Sequence, residues 1–443
     1  MYSLKPVITT TDTLAPMSEL QRYWWGRERL FPDPGLVMST PVRVRGALDV
    51  AIMEAAVRNV TLRHEAVRTN FGRVDGEPVQ IIHRQPPRPV AWLRDISGIP
   101  EASRDDILRD LADSEQHRRF DLARDSLVRL GIVRCSQDDF VLLLTVHHII
   151  ADGWSLDVLW RDLSEEYEML SCGDVDRVRT PPPRLRDWVA RERAVARSPK
   201  AASETEYWNR VLREVRPLHV PHDLVGGSSP ARRRPCTRRF TLPQNLGHAL
   251  WPAAKRYRAT PHMITMAAFM KLLARRVQRP DVAVLTLFNR RAAYETADLI
   301  GCILNFAVIG VRVPTDGRPE SLVRDVRSTL LDAYENQDIC AQTLWRRARF
   351  SSASVDVMFI FDQHPSRREA VHFGGVPLQP LIQEEEREGE REGAAATAIK
   401  FRLELTGKEL TGAIGYDANL YSRAFVDAFL EEYVNLLAET LIP

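Results

Sequence analysis

No two cysteines of this chain stand in a CxxC spacing. Cys135, Cys172, Cys236, Cys302 and Cys340 are scattered through 443 residues, and an odd, dispersed set in a chain this long fits reduced thiols rather than a disulfide framework. That points to a cytoplasmic protein. Metal-ligand spacing is missing as well: His147 and His148 are adjacent and have no third ligand at a suitable distance in sequence, so no metal site is implied. The amino terminus, MYSLKPVITTTDTLAP, has no apolar signal-peptide core. The best apolar run, 141–151, is broken by the two histidines and is too short to cross a bilayer, so no membrane association is expected. Charge of one sign is lacking too. Lys+Arg 61 against Asp+Glu 59 leaves a formal +2, too weak a field to steer the chain to nucleic acid or anionic lipid. There is no repeat at solenoid periods, and a monomer with no bound cofactor is expected.

What is present is a mixture of 44% apolar and 27% charged residues, within the range of soluble globular enzymes and enough to bury a sizeable core. Helical and strand signals alternate from end to end, the pattern of layered α/β or α+β architecture. Ser18 and Gln21 form a capping box before Tyr23, Trp24, Trp25 and Leu30, so a helix should start there. Asp49 should cap a second helix carrying Val50, Ile52, Ala56, Val57 and Val60. Strands are expected at 79–82 and 140–146. The periodicity stops over 171–184, where Pro181, Pro182 and Pro183 can neither continue a helix nor donate to a sheet ladder; the expected domains are 1–175 and 176–443. The second domain should carry helices at 203–215 (with Ser203 and Glu206 as a capping box), 244–258, 261–277, 319–335 and 422–441. Its strands should lie at 282–288, 307–313, 355–361, 399–405 and 410–416. The acidic, glycine-containing stretch 384–393 reads as a solvated loop.

The segment VHHIIADGWS, 146–155, carries the chemistry. The apolar run from Phe140 should be a buried strand that delivers His147 and His148 side by side. Successive strand side chains point to opposite faces, so one ring faces a cleft and the other the core. Histidine is the side chain best suited to take a proton near neutral pH. Asp152 can fold back to fix a ring or lock the loop, and Gly153 permits a turn closed to other residues. Ser155 reads as the N-cap of the next helix, with Trp154 and Leu159 as a hydrophobic staple and Asp157 in the first turn. His-His-x-x-x-Asp-Gly arises by chance on the order of once in a thousand chains of this length, which favours catalysis over two packed core histidines.

At these residues the chain resembles the condensation domains of nonribosomal peptide synthetases, whose signature is HHxxxDG. The resemblance extends from about residue 15 to the end. Arg63, His64, Glu65, Arg68, Thr69 and Phe71 match the family's RHExLRTxF, while Ser18, Gln21 and Trp25 match its first motif. Phe120, Asp121 and Leu122, with Leu127 and Arg129, resemble its approach to the active-site strand. Asn289 and Arg290 with Ile300, Gly301 and Asn305 are similar to its fifth motif, and Gln337 and Asp338 to its sixth. The resemblance implies two chloramphenicol-acetyltransferase-like lobes in a V around a tunnel. Phosphopantetheine arms of a donor and an acceptor carrier protein would enter that tunnel, and the acceptor's nucleophile would attack the donor thioester to give an amide or ester. It assigns His148 as base or positioning group, His147 as structural, Asp152 as shaping the loop, and Gly153 as offering an N–H to the oxyanion. It makes Arg290 the ion-pair partner of Asp152, and places Asn305, Trp154 and Ser155 beside substrate.

The chain departs from the family pattern at Tyr23, Leu185, Phe306, Asn336, Cys340 and Ala341, which suggests an atypical substrate. Nothing resembling an adenylation or carrier region follows, as in a free-standing condensation enzyme, and Val225 to Ser229 lack the helix a carrier's attachment site needs. Epimerisation relatives place Ser-Trp after the Asp, unlike Gly153-Trp154-Ser155. Heterocyclisation relatives carry aspartates for the histidines, and dual epimerising ones an extra His-His motif. Coenzyme A acyltransferases share HxxxDG but not the other motifs. A recruitment domain of the same fold is the non-enzyme alternative; such domains usually lose the histidines. Basic clusters at Arg232, Arg233, Arg234, Arg238 and Arg239, and at Arg346, Arg347 and Arg349, could face acidic carriers.

Overall fold

The computed structural model describes residues 9–30, 36–174, 179–224, 234–291, 294–314, 318–348, 354–363, 371–381, 387–388 and 397–442. The chain divides into two compact units that are not contiguous in sequence. The first comprises Met1–Ala194, Arg290–Leu304 and Ser366–Gln383; the second comprises Val195–Asn289, Asn305–Pro365 and Glu384–Pro443. The proline run at 181–183 therefore falls inside the first unit, because the Leu185–Val195 helix that follows it packs there through Leu185 and Val189.

The first unit is built on a five-stranded sheet in the order Gln379–Pro380, Val37–Val44, Phe140–His147, Val128–Arg134, Ala91–Asp95, with a separate three-stranded sheet of Thr13–Pro16, Glu77–Ile82 and Thr69–Val74. Phe140–His147 is buried along its whole length and runs antiparallel between Val37–Val44 and Val128–Arg134. A strand covered on both faces needs no polar alternation, which is why Phe140 to Leu144 is an unbroken apolar run and the Thr145 that follows is buried as well. The expected first helix is Glu19–Leu30. It is opened by reciprocal bonds in which the Gln21 N–H donates to Ser18 Oγ (3.0 Å) and the Ser18 N–H to Gln21 Oε1 (2.9 Å). Asp49 caps Val50–Arg63.

A late segment completes this unit. Gln379–Pro380 pairs with Val37–Val44 and covers what would otherwise be an open sheet edge. Phe373 packs edge-on against Trp160 and Tyr167. Glycine is required at position 46, where a Cβ would stand 2.4 Å from Val376.

The second unit carries a seven-stranded sheet in the order Leu304–Arg312, Asp281–Asn289, Val357–Gln363, Ile399–Thr406, Glu409–Asp417, Pro235–Thr241, Arg387–Glu388. Its centre is parallel and its flank antiparallel. Phe269, Phe359, Phe401, Phe429 and Tyr433 form the aromatic heart of its core. All five expected strands and four of the five expected helices of this half lie within a few residues of their anticipated bounds. The exception is the helix assigned to Ser203. It begins at Pro199, with proline at N1 where the missing N–H costs nothing, so Ser203 sits inside it and donates to the Lys200 carbonyl. Most of the acidic stretch 384–393 and the segment 225–229 lie outside the described residues. Among the described residues no helix is long and apolar enough to cross a membrane.

The RHE residues act as a clamp. His64, the C-cap of Val50–Arg63, places Nε2 2.7 Å from Asp162 Oδ2, while the other oxygen of that carboxylate accepts from Arg161 (2.7 Å). Asp162 is fully buried in the Gly153–Ser171 helix. Burial alone would raise its carboxyl, but the His64 bond and the Arg161 guanidinium outweigh that and hold it far below the ordinary 3.8. Burial keeps His64 neutral, so its Nε2–H donates. A depressed carboxyl contributes stability that is complete above the unfolded-state value and lost as pH falls through it toward the folded one. Asp162→Ala should therefore cost about 3–5 kcal/mol near neutrality, the usual penalty for breaking a buried pair. In urea titrations at several pH values the gap between variant and wild type should narrow below about pH 4.

Candidate functional site

The Phe140–His147 strand ends by fixing the backbones of both histidines: the His147 N–H donates to Leu127 O (2.9 Å) and the His148 N–H to Leu36 O (2.7 Å). Strand alternation then separates the rings. His147 is 1% exposed and meets Phe120 edge-on, whereas His148 is half-buried. The Ile149 N–H donates to His147 Nδ1 (3.1 Å), so the His147 proton sits on Nε2. Burial, aided by the nearby His148 and Arg129, pushes His147 down to about 3, and it stays neutral.

The His148 ring is oriented the other way. Its Nδ1 lies 2.7 Å from the Ala151 carbonyl oxygen, which can only accept, so Nδ1 carries the proton and the ring lone pair is on Nε2. Trp24 stacks on the ring (centroids 6.2 Å, planes at 27°), and Cys302 Sγ lies 3.5 Å from Nδ1. Gln21 reaches the same turn, donating to Ile149 O (3.3 Å) and so tying the first helix to the histidine loop.

Asp152 is the centre of a buried knot and, instead of Ser155, the N-cap of Gly153–Ser171. Its Oδ1 accepts from the Ser155 N–H (2.9 Å) and hydroxyl (2.8 Å), leaving Ser155 at the third helical position of a capping box. Arg291 donates to both carboxylate oxygens (2.9 and 3.0 Å), to Ser155 Oγ (3.1 Å) and to the Gly301 carbonyl (2.9 Å). Both charged side chains of the pair are 1% exposed. The Ile303 N–H adds a longer contact to Oδ2 (3.4 Å).

Four assignments from the sequence need correction. The partner of Asp152 is Arg291, not Arg290; Arg290 pairs with Glu192 at 2.8 Å and lies over Trp188. The two arginines follow the strand Asp281–Asn289, so consecutive side chains diverge and the spacing cannot say which turns inward. Ser155 is buried, with its hydroxyl engaged by Asp152, Arg291 and Gly301, so it faces the knot rather than substrate. Asn305, 2% exposed in the second unit, spends its amide on the Gln337 and Ile339 carbonyls and the Ala341 N–H, pinning the 336–341 loop instead of lining a wall. Gly153 is an ordinary first helical residue with no left-handed φ. What glycine leaves there is space, since a Cβ would meet nothing within 4 Å. The Trp154 indole N–H donates to Ala297 O (2.7 Å), which fastens its ring to the 291–303 segment.

Sequence reasoning missed Trp24, Cys302 and Arg291 as neighbours of the histidine loop; only adjacency to Gly301 and Arg290 within the fifth motif marked the last two. Among the described residues no group of three or more His, Cys, Asp or Glu could hold a metal ion. Of the basic clusters, Arg232, Arg233 and Arg349 lie outside the described residues, and Arg238 pairs with Asp427.

The knot sets an expectation. Arg291→Ala, which strands a buried carboxylate, should cost about 3–5 kcal/mol by chemical denaturation. Arg291→Lys should recover only part of that, because an ammonium cannot reproduce the planar fork.

With this geometry in place, comparison with known proteins is direct. The family model described as "Condensation domain" matches residues 11–442. A linear gramicidin synthase of Brevibacillus parabrevis is 30% identical over 95% of this chain, which spans 8% of that protein. Phosphinothricin tripeptide synthetase PhsB of Streptomyces viridochromogenes is 28% identical over 98% of the chain and 36% of its own length. Among solved structures, the first condensation domain of the calcium-dependent antibiotic synthetase superposes with a TM-score of 0.79 at 20% identity, covering 97% of this chain and 96% of that one. The X-domain from teicoplanin biosynthesis gives 0.81 at 22% identity, covering 99% and 97%. These last two likenesses speak to the fold. The family model and the curated relatives identify the chain as a member of the condensation-domain family of nonribosomal peptide synthetases.

Proposed function

We propose that the chain catalyses condensation, joining an acyl or aminoacyl thioester held on a donor carrier protein to an amine or hydroxyl acceptor. The observation that carries this reading is the His148 tautomer. With Nδ1–H committed to Ala151 O, Nε2 is the nitrogen that can take a proton. As the acceptor nucleophile attacks the thioester carbon, its proton passes to Nε2. The carbonyl oxygen becomes an oxyanion beside the first turn of Gly153–Ser171, where amide N–H groups have no intrahelical acceptor and the helix dipole favours negative charge. Collapse breaks the carbon–sulfur bond, and the imidazolium returns the proton to the departing pantetheine sulfur. The open space at Gly153 leaves room for the reacting carbonyl.

A second reading has a specific observation behind it. One solved neighbour is described as a complex of the X-domain and OxyB from teicoplanin biosynthesis, with a TM-score of 0.80. The shared fold is therefore compatible with a domain that recruits a partner protein.

Two variants separate the readings. His148→Ala should remain folded and lose about 10²–10⁴-fold in condensation rate. Gly153→Ala should leave the melting temperature unchanged or slightly raised, since alanine suits a helix better than glycine, while slowing condensation about tenfold by filling space the substrate needs. Product from carrier-bound donor and a free or carrier-bound acceptor is followed by mass spectrometry. A wild type that binds a partner protein yet makes no product with any acceptor establishes recruitment instead.

A further inference from the structure

The backbone on both sides of Cys302 is pinned to the Asp152 knot. The Gly301 carbonyl accepts from Arg291, its N–H donates to Ser155 Oγ (3.1 Å), and the Ile303 N–H points at Asp152 Oδ2. Leu185 packs so closely over Gly301 that a Cβ there would stand 2.6 Å from its side chain. The thiol between these two fixed residues is delivered to a single place, 1% exposed and 3.5 Å from His148 Nδ1.

From this we infer that Cys302 is a positioning residue for His148, its sulfur sharing the Nδ1–H with the Ala151 carbonyl and fixing the plane of the ring. One acceptor alone would let the imidazole pivot about the Nδ1–H···O bond. A second acceptor on the same N–H, with the Trp24 indole stacked on the ring, removes the pivot. Burial, and after it the Asp152 charge, push the thiol well above its ordinary 9.0 against the opposing Leu304 amide, Trp24 side chain and Arg291 charge, so the sulfur stays a neutral acceptor. The chain of contacts runs from Arg291 and Asp152 through the 301–303 backbone to Cys302 and on to the base. Only the catalytic consequence rests on the condensation reading; the ring geometry does not.

Nitrogen-15 NMR of the ring, at a pH where it is neutral and with His148→Ala to assign the signals, reads the tautomer without any substrate. Wild type should show a protonated Nδ1. Cys302→Ala should raise the share of the Nε2–H form severalfold and lower kcat about tenfold with KM within about twofold, since positioning and not binding is lost. Cys302→Ser, whose hydroxyl can accept but reaches less far, should restore the wild-type tautomer and most of the rate. Ring signals in a folded Cys302→Ala that match wild type overturn the inference, as does a Cys302→Ser that behaves like alanine. A wild type inactive toward every donor and acceptor removes the condensation reading and leaves the NMR result to decide the positioning.

Discussion

Burying a carboxylate to 1% exposure is costly unless a cation and several N–H or O–H donors come to it, and at Asp152 that requirement organises the rest of the site. The Ser155 N–H and hydroxyl satisfy one oxygen and thereby start the Gly153–Ser171 helix. Arg291 supplies the charge and brings the 291–303 segment with it. Replacing such a pair by well-packed apolar groups is often neutral or favourable for stability, so what the pair contributes is geometry. It gives one answer to where the helix begins, where the Gly301 turn lies, and hence where His148 points. The same helix repeats the device at Asp162, where His64, Arg161 and Arg63 hold a second buried carboxylate and fasten Val50–Arg63.

The two histidines show how identical residues acquire different chemistry from the backbone groups that face their rings. In each, one ring nitrogen faces a group whose role is fixed: an amide N–H that can only donate for His147, a carbonyl that can only accept for His148. The lone pair of His147 is consumed inside the core, and that of His148 is placed on Nε2. The turn after the strand makes the choice in each, and at His148 the Cys302 sulfur, in the role inferred above, holds the ring where that choice persists.

Much of this was legible in the sequence, and the failures have physical causes. The buried strand at 140–147, the Ser18–Gln21 and Asp49 caps, the inequality of the histidines and the strands of the second half follow from periodicity and capping chemistry, which are local. The choice between Arg290 and Arg291 depends on side-chain phase after a strand has ended, where periodicity carries no information. Asp152 displaced Ser155 as N-cap because both residue types cap well, and only the buried arginine decides between them. Asn305 was misread because its partners lie in the 336–341 loop, which local pattern cannot bring to it. The segment 371–381 joins the first unit by long-range pairing, beyond the reach of any window. The helix Glu101–His117, with only Leu108, Ala112 and Glu115 buried, has too thin an apolar stripe to announce itself.

Most of the departures from the family pattern sit at packed positions. In the second unit Phe306 lies edge-on to Trp345, and the Cys340 thiol donates to Gln342 Oε1 at 2.8 Å. Asn336 gives its carbonyl to the Trp208 indole, and the Ala341 N–H goes to Asn305. Four departures therefore fall on one loop and the strand beside it, and each has a partner. In the first unit Leu185 fills the space against Gly301 that glycine leaves open. Phe306 and Cys340 make their contacts through side chains, whereas these bonds of Asn336 and Ala341 are backbone bonds that any residue at these positions could make. The altered side chains are thus accommodated within the second unit, while every partner of the Asp152 knot lies in the first, so the knot does not depend on them.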